Sequence, residues 1–188
     1  MPRFLALITV AALMLSLHSA LSADQPAKSD EAGTPLFNGK DLAGWAVKPK
    51  KGEPEPLDGK TDAANGRFKV ADGILVIDPK VKGDVTLETV KPLAGDVHIR
   101  FECLPGAKCN NDLFFRGTKF DIKKADIKIL KEDEWNTFEI VAAGEKIEYR
   151  CNGESLKTFT AKGPPPPLGL RAEAGPIQFR KIGVVGGK

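Results

Sequence analysis

Apolar and polar side chains alternate with a period of two along much of this chain. The clearest stretch is residues 96–103. Its four apolar positions are Val97, Ile99, Phe101 and Cys103. The intervening positions are His98, Arg100 and Glu102. This alternation predicts a β-strand with one buried face and one solvated face.

Two hairpins follow from the same alternation. Residues 135–142 and 146–152 alternate on either side of Ala143-Gly144, with Ile147, Tyr149 and Cys151 on one face. Residues 68–72 and 74–77 meet at Asp72-Gly73, a strong turn pair. Short apolar runs joined by such pairs are typical of antiparallel hairpins.

The remaining pattern also indicates strands. Further strands are predicted over residues 112–116, 120–122, 127–130, 156–160 and 177–185. Residues 48–65, rich in Pro, Gly, Lys and Asp, predict a surface loop, and the prolines of 164–167 cannot join a central sheet. No amphipathic helix is evident after the N-terminal segment. Many short strands predict an all-β, two-sheet antiparallel sandwich.

The N-terminal segment has the pattern of a secretory signal. Arg3 precedes an apolar run over residues 4–17, and small residues follow at Ala20, Ser22 and Ala23. We therefore predict a signal peptide over residues 1–23, a disordered leader over 24–35 and one domain over 36–188. The predicted location is secreted, periplasmic or cell envelope, with no membrane span after cleavage.

Composition narrows the function. The chain has 28 basic and 25 acidic side chains, a balance that argues against nucleic acid as a partner. His98 is the one histidine after residue 23, so a multi-histidine zinc site is not predicted. No cofactor motif is evident, although a divalent cation held by backbone carbonyls would leave no pattern. Cys103, Cys109 and Cys151 allow one disulfide or three buried thiols.

Five segments together resemble a known family. They are LFNGKDLAGW (36–45), FKVADGILV (68–76), DVHIRFECLPGAKCNNDLFFRG (96–117), EWNTFEIVAAGEKIEYRCNGE (134–154) and LGLRAEAGPIQFRKI (168–182). In this order they resemble the 3-keto-disaccharide hydrolase domain family. The resemblance implies a jelly-roll sandwich of the concanavalin A-like lectin and glucanase type. It also implies a saccharide substrate, with cleavage of 3-keto-glycosides by a hydrolase or lyase.

The expected chemistry calls for particular groups. A ketone at C3 acidifies the C2 proton, so β-elimination needs a base, a donor for the enolate oxygen and an acid for the leaving oxygen. The resemblance and the local sequence suggest Glu173, Asp121 and Arg116 as catalytic candidates, with Glu173 in a loop. Substrate-binding candidates are Asn110, Lys123 and Arg171.

The sequence departs from the family pattern near these residues. Asp121 stands where the family usually has glutamate, Lys123 where it has glutamine, and Arg171 where glutamine is common. The stretch 119–134 is also short. Two alternatives to an enzyme therefore stay open at this point: a non-catalytic carbohydrate-binding module, and an envelope domain that binds another protein. The saccharide, its linkage and the oligomeric state are not predicted.

Overall fold

The computed structural model describes residues 33–163 and 167–185, and within them it contains strands and no helix. The fifteen strands are β1 (Thr34–Pro35), β2 (Leu42–Val47), β3 (Pro56–Leu57), β4 (Asp62–Ala63), β5 (Phe68–Ala71), β6 (Ile74–Ile77), β7 (Val85–Thr89), β8 (Val97–Pro105), β9 (Asn110–Phe115), β10 (Thr118–Ile122), β11 (Asn136–Ala143), β12 (Lys146–Cys151), β13 (Glu154–Thr160), β14 (Gly169–Ala174) and β15 (Ile177–Val184). No helix of this part of the chain could cross a membrane.

The strands form two antiparallel sheets. The larger has nine strands in the order β13-β12-β11-β8-β15-β6-β5-β4, with β1 added beside β15. The smaller has six in the order β10-β9-β14-β7-β2-β3. The predicted all-β sandwich of the jelly-roll type is confirmed.

The core lies between the inward faces of these sheets. Phe101 stacks on Phe138 with ring centroids 5.7 Å apart, and Phe120 of the smaller sheet stacks on Tyr149 of the larger at 4.6 Å. The Tyr149 hydroxyl hydrogen-bonds Thr118 at 2.8 Å, so its polar atom is satisfied inside the core. The Phe120–Tyr149 stack therefore ties β10, at the edge of the smaller sheet, to β12.

Strong alternation located most strands of the larger sheet correctly. The predicted hairpins are β5–β6 and β11–β12, and residues 97–103 lie in β8. β4 was not predicted, because it lies in the predicted surface loop 48–65. In Asp72-Gly73 and in Asn152-Gly153, the first residue has φ near +50° and the glycine has φ near +80°. These angles are typical of a two-residue hairpin turn. The third turn is Gly144-Glu145, one residue later than predicted, because Ala143 still pairs with Lys146.

Several predictions at weaker patterns were wrong. Residues 127–130 form turns, because Lys123 O and Ile127 O accept backbone hydrogen bonds from Ile127 N and Leu130 N. β2, β7 and β14 were not predicted, since Gly44, Thr86 and Gly169 interrupt their apolar runs. Thr34 and Pro35 of the predicted leader pair with β15. The predicted signal peptide, residues 24–32 and prolines 164–166 lie outside the described residues.

The cysteines and tryptophans have structural roles. Cys103, Cys109 and Cys151 are free and buried, which is the second of the two alternatives above. Trp45 is fully buried and its Nε1 donates to Leu36 O at 2.7 Å, as expected of a core residue. Trp135 is only half buried, and the Arg180 guanidinium lies 3.9 Å from its ring centre in a cation–π contact.

Asn136 connects the segment before β11 to the sheet. Its side chain is fully buried and accepts from Lys131 N at 2.9 Å and from Asn152 Nδ2 at 3.0 Å. Its Nδ2 donates to Lys131 O at 2.7 Å and Glu134 O at 2.9 Å. One amide thus satisfies four polar groups where the chain has no sheet partner.

Asn136→Ala is expected to lower the free energy of unfolding by about 2 kcal/mol, because buried partners lose their hydrogen bonds. Urea denaturation followed by circular dichroism measures it. Asn152→Gly, which removes only part of this network and tolerates the positive φ of this turn position, serves as the control and is expected to cost less. Equal losses in both variants would contradict the assigned role of Asn136.

Candidate functional site

Charged side chains lie in register on the outward face of the smaller sheet. Asp121 of β10 pairs with Asp112 of β9, and Asp112 pairs with Arg171 of β14. Alternation turns Leu113, Phe115 and Leu170 into the core, so these three charged residues share the opposite face. We call Asp112, Lys119, Asp121, Arg171 and Glu173 the carboxylate cluster.

Asp112 is the central member of the carboxylate cluster. Its side chain is fully buried, and Oδ2 lies 2.8 Å from Arg171 Nη1 and 3.3 Å from Lys119 Nζ. Burial, and then the neighbouring Asp121 carboxyl, raise the pKa of Asp112 to about 6 despite these two cations. Asp112 is therefore a carboxyl that changes protonation state close to neutral pH.

Asp121 differs from Asp112 in exposure and charge. About a third of its side chain is exposed, and Oδ1 lies 2.8 Å from Lys119 Nζ. The hydrogen bond from Lys119, with a further one from Asp112, lowers the pKa of Asp121. Asp112 Oδ1 is buried with no hydrogen-bond partner among the described residues, so it is the atom available to hold a proton. When Asp112 is protonated, the pair consists of a buried acid beside a solvent-accessible carboxylate.

Arg171 joins the Asp112–Asp121 pair to Glu173. Its guanidinium forms two hydrogen bonds with Asp84, and Nη1 lies 3.5 Å from Glu173 Oε2. Glu173 is in β14 rather than in a loop, which corrects the prediction. A bulge between Arg171 and Ala174 places an extra residue there, and Asn110 Nδ2 donates to Glu173 Oε1 at 3.3 Å. Asn110 and Glu173, both predicted, thus lie together.

Arg116 and Lys123 lie apart from this arrangement. Arg116 is buried in the β9–β10 turn, where its guanidinium donates to the carbonyls of Leu93, Gly95 and Gly144. Its guanidinium therefore holds three loops together, and the structure places none of the other candidates on it. Lys123 pairs with Asp126 at 3.1 Å beyond Asp121. Their predicted roles remain predictions.

Asp112 and Lys119 were missed as site residues. Both alternate with core residues along their strands, so the pattern that predicted the strands also put them on the outward face. The local pattern could not predict that β9 pairs with β14, because these strands are more than 50 residues apart in the sequence. A carboxylate within a strand, two residues after the polar Asn110, was the available signal.

Two cavities flank the carboxylate cluster. One, of about 120 Å³, lies where β10 meets β13 and is lined by Asp121, Lys119, Leu156 and Phe159. The other, of about 250 Å³, is lined by Arg67, Glu173, Gly175 and residues 79–83 except Lys80. In the part of the chain that the structure describes, no three His, Cys, Asp or Glu side chains are arranged to hold a metal ion.

The geometry allows proton transfer beside a cation. Asp121 can take a proton from a bound molecule. The Lys119 side chain is 43% exposed, and its Nζ can donate a hydrogen bond to an oxyanion that develops beside Asp121. Asp112, whose pKa is raised to about 6 by burial and by the neighbouring Asp121 carboxyl, lies behind Asp121. These are the groups that abstraction of a proton next to a carbonyl requires.

Comparison with known proteins identifies a family for this chain. A family model, the 3-keto-alpha-glucoside-1,2-lyase-like domain, matches residues 32–130 and 119–185. None of the curated protein sequences compared with the chain matches it.

Solved structures share the fold at low sequence identity. A candidate glycosyl hydrolase from Parabacteroides distasonis is 17% identical with a TM-score of 0.61, covering 81% of this chain and 93% of that one. A Bacillus subtilis protein with a galectin-like fold is 9% identical with a TM-score of 0.52, covering 81% and 96%. The alginate lyase from a Corynebacterium species is 14% identical with a TM-score of 0.50, covering 82% and 99%.

Proposed function

Since the chain belongs to the 3-keto-alpha-glucoside-1,2-lyase-like domain family, whose description indicates a carbohydrate-related function, we propose that it cleaves 3-keto-glycosides by β-elimination. The observation that carries the proposal is the Asp112–Asp121 pair with Lys119 between the two carboxyls. We further propose that the protein acts outside the cytoplasm, in agreement with the sequence of residues 1–23.

Asp121 is the base in this proposal. Its exposed oxygen takes the C2 proton of the 3-keto sugar, and the C–H electron pair delocalises into the ketone as an enolate. Lys119 donates to the enolate oxygen and thus stabilises the charge that develops there. Asp121 suits this task because Lys119 and Asp112 keep it charged while a third of its side chain faces solvent.

The second step returns the proton. When the enolate collapses, C1=C2 forms, the C1–O1 bond breaks and O1 takes the proton from Asp121, which is restored as a carboxylate. The products are a 2-hydroxy-3-keto-glucal and the alcohol, and no oxidant or water is consumed. Hydration of the enone afterwards would give the net products of hydrolysis.

Asp112 and Arg171 act behind Asp121 as positioning residues. Neither need touch the substrate, because Asp112 is fully buried and Arg171 is held by Asp84 and Asp112. Asp112 supplies a hydrogen bond that orients the Asp121 carboxylate and adjusts its basicity. Glu173 of β14 and Asn110 of β9, which lie together on the same face, bind substrate hydroxyls in this proposal.

Methyl 3-keto-α-glucoside tests the proposal directly. The purified protein is expected to release methanol and form a chromophore in the ultraviolet, since an enone conjugates C1=C2 with the C3 ketone. In D₂O, any substrate recovered is expected to carry deuterium at C2 if proton removal is reversible. If neither products nor deuterium exchange are detected, but calorimetric titration shows saccharide binding, the lyase proposal is contradicted. The protein would then be a carbohydrate-binding module.

A further inference from the structure

The cavity of about 120 Å³ between β10 and β13 is lined by Asp121, the base of the proposed reaction. Four other side chains of its lining are apolar, namely Phe120, Ile127, Leu156 and Phe159. We propose that this cavity binds an aromatic ring of the leaving group, so that the preferred substrates are 3-keto-glycosides of aromatic alcohols. The inference rests on the lyase function proposed above and names the chemical class of its leaving group.

The proposed mechanism places the leaving group at this cavity. Asp121 takes the C2 proton and returns it to O1, and C2 and O1 are both bonded to C1. The first carbon of the leaving group is bonded to O1, so it lies next to the Asp121 carboxyl. Since Asp121 also lines the cavity, the rest of the leaving group can enter it while the keto sugar stays in place.

The cavity and the proposed sugar-binding residues lie on opposite sides of Asp121. β10 and β13 are the edge strands of their sheets, and the cavity is between these two edges. Asn110 and Glu173 are on β9 and β14, which follow β10 toward the middle of the smaller sheet. A glycoside with its C2 proton at Asp121 can therefore direct its sugar toward Glu173 and its leaving group toward β13.

Aromatic rings form much of the cavity wall. Phe120 stacks on Tyr149 with ring centroids 4.6 Å apart, and Phe159 packs edge to face with Tyr149 at 5.5 Å. These contacts hold Phe120 and Phe159 in fixed orientations. A ligand ring can meet either of them in the same stacked or edge-to-face geometry, which adds to the gain from apolar burial.

The charged side chains of the lining already have partners. Lys119 Nζ lies 2.8 Å from Asp121 Oδ1, and Asp126 is paired with Lys123 at 3.1 Å. The Lys157 ammonium lies over an aromatic ring of the lining, 4.8 Å from its centre. A second sugar would place several hydroxyls against apolar walls without hydrogen-bond partners, which is costly. A hydrocarbon ring carries no such groups.

The volume of the cavity agrees with one aromatic ring. An apolar cavity of about 150 Å³ engineered into another protein binds benzene. The cavity of about 120 Å³ is slightly smaller, but its lining includes the partly exposed Asp121, so one edge of a ring can remain outside it. The size thus suits a single six-membered ring.

Benzyl and methyl 3-keto-α-glucosides test this site. The two substrates share the keto sugar and release alcohols of similar acidity, so they differ mainly in the aromatic ring. For the unmodified protein, kcat/KM is expected to be at least about 10-fold higher for the benzyl substrate, since its ring is buried in the cavity. Enone absorbance gives both rates.

Leu156→Trp fills the cavity. Leu156 is half buried on the edge strand β13, and the indole occupies the space of the ligand ring. The benzyl-to-methyl ratio of kcat/KM is expected to fall to about one, while kcat/KM for the methyl substrate stays within about two-fold. Val90→Trp introduces the same side chain at an exposed position outside the lining and is expected to leave the ratio unchanged.

A second variant keeps the test decisive if Leu156→Trp does not fold, which thermal unfolding checks. Leu156→Asn preserves the size of the side chain but makes this wall polar, so the benzyl-to-methyl ratio is again expected to fall. A ratio within about two-fold of one in the unmodified protein would overturn the inference. So would a ratio that the Leu156 variants leave unchanged.

Binding of benzyl alcohol separates this inference from the lyase proposal. If the unmodified protein turns over neither substrate, the lyase proposal fails, and benzyl alcohol is then titrated with the protein and observed by NMR. Binding that Leu156→Trp abolishes and Val90→Trp retains would keep the cavity as a site for an aromatic ring. Absence of binding, or equal binding by both variants, would overturn it.

Discussion

Asp121→Asn is expected to lower kcat on methyl 3-keto-α-glucoside by about 10²–10⁴-fold, the usual contribution of a positioned base. Asparagine keeps the size of the side chain and can still contact Lys119, but it cannot accept the C2 proton. Because Asp121 is partly exposed and at a sheet edge, the fold is expected to survive the change. Enone absorbance gives the rate, and circular dichroism checks the fold.

Two further variants sharpen the Asp121→Asn result. Asp62→Asn removes an exposed carboxylate from the larger sheet, far from the proposed chemistry, and is expected to leave kcat unchanged. Glu173→Gln is expected to raise KM more than it lowers kcat, since Glu173 is assigned to hydroxyl binding. If Glu173→Gln abolishes turnover while Asp121→Asn retains it, Glu173 rather than Asp121 is the base.

Asp112→Asn is expected to change how stability depends on pH by about 3 kcal/mol. The folded protein raises the pKa of Asp112 from 3.8 to about 6, so the folded state binds more protons than the unfolded state between these values. The free energy of unfolding of the unmodified protein therefore carries a contribution that falls as pH rises through this window. A pKa shift of this size corresponds to about 3 kcal/mol of unfolding free energy. Asparagine does not titrate, so the variant lacks this pH-dependent contribution.

Urea denaturation at pH 4 and pH 7.5 measures this difference. The free energy of unfolding of Asp112→Asn, relative to that of the unmodified protein, is expected to rise by about 2 kcal/mol between pH 4 and pH 7.5, since pH 4 already lies slightly above the unfolded pKa. The lowered pKa of Asp121 gives stability that is lost only below about pH 4, so Asp121 contributes little within this interval. Parallel pH profiles for Asp112→Asn and the unmodified protein would contradict the raised pKa of Asp112.

Arg116 shows which contacts a local motif does not contain, and its predicted catalytic role stays a prediction. In the sequence it follows a strand that ends in apolar residues. In the structure the β9–β10 turn gives Arg116 a φ of +48° and buries its guanidinium against three backbone carbonyls. A side chain that satisfies buried carbonyls from two other loops depends on contacts between distant segments, which a local pattern does not contain.

The sequence by itself determined most strands of the larger sheet, two of its hairpins and the fold class, because alternation and turn pairs are local properties of the chain. It also identified Asp121, Arg171, Glu173 and Asn110 as candidates. Only the tertiary structure decided that β9 lies between β10 and β14, so that Asp112 is buried between Asp121 and Arg171. The physical reason is that burial and neighbouring charge set the protonation of a carboxyl, and both arise from strand pairing between distant segments.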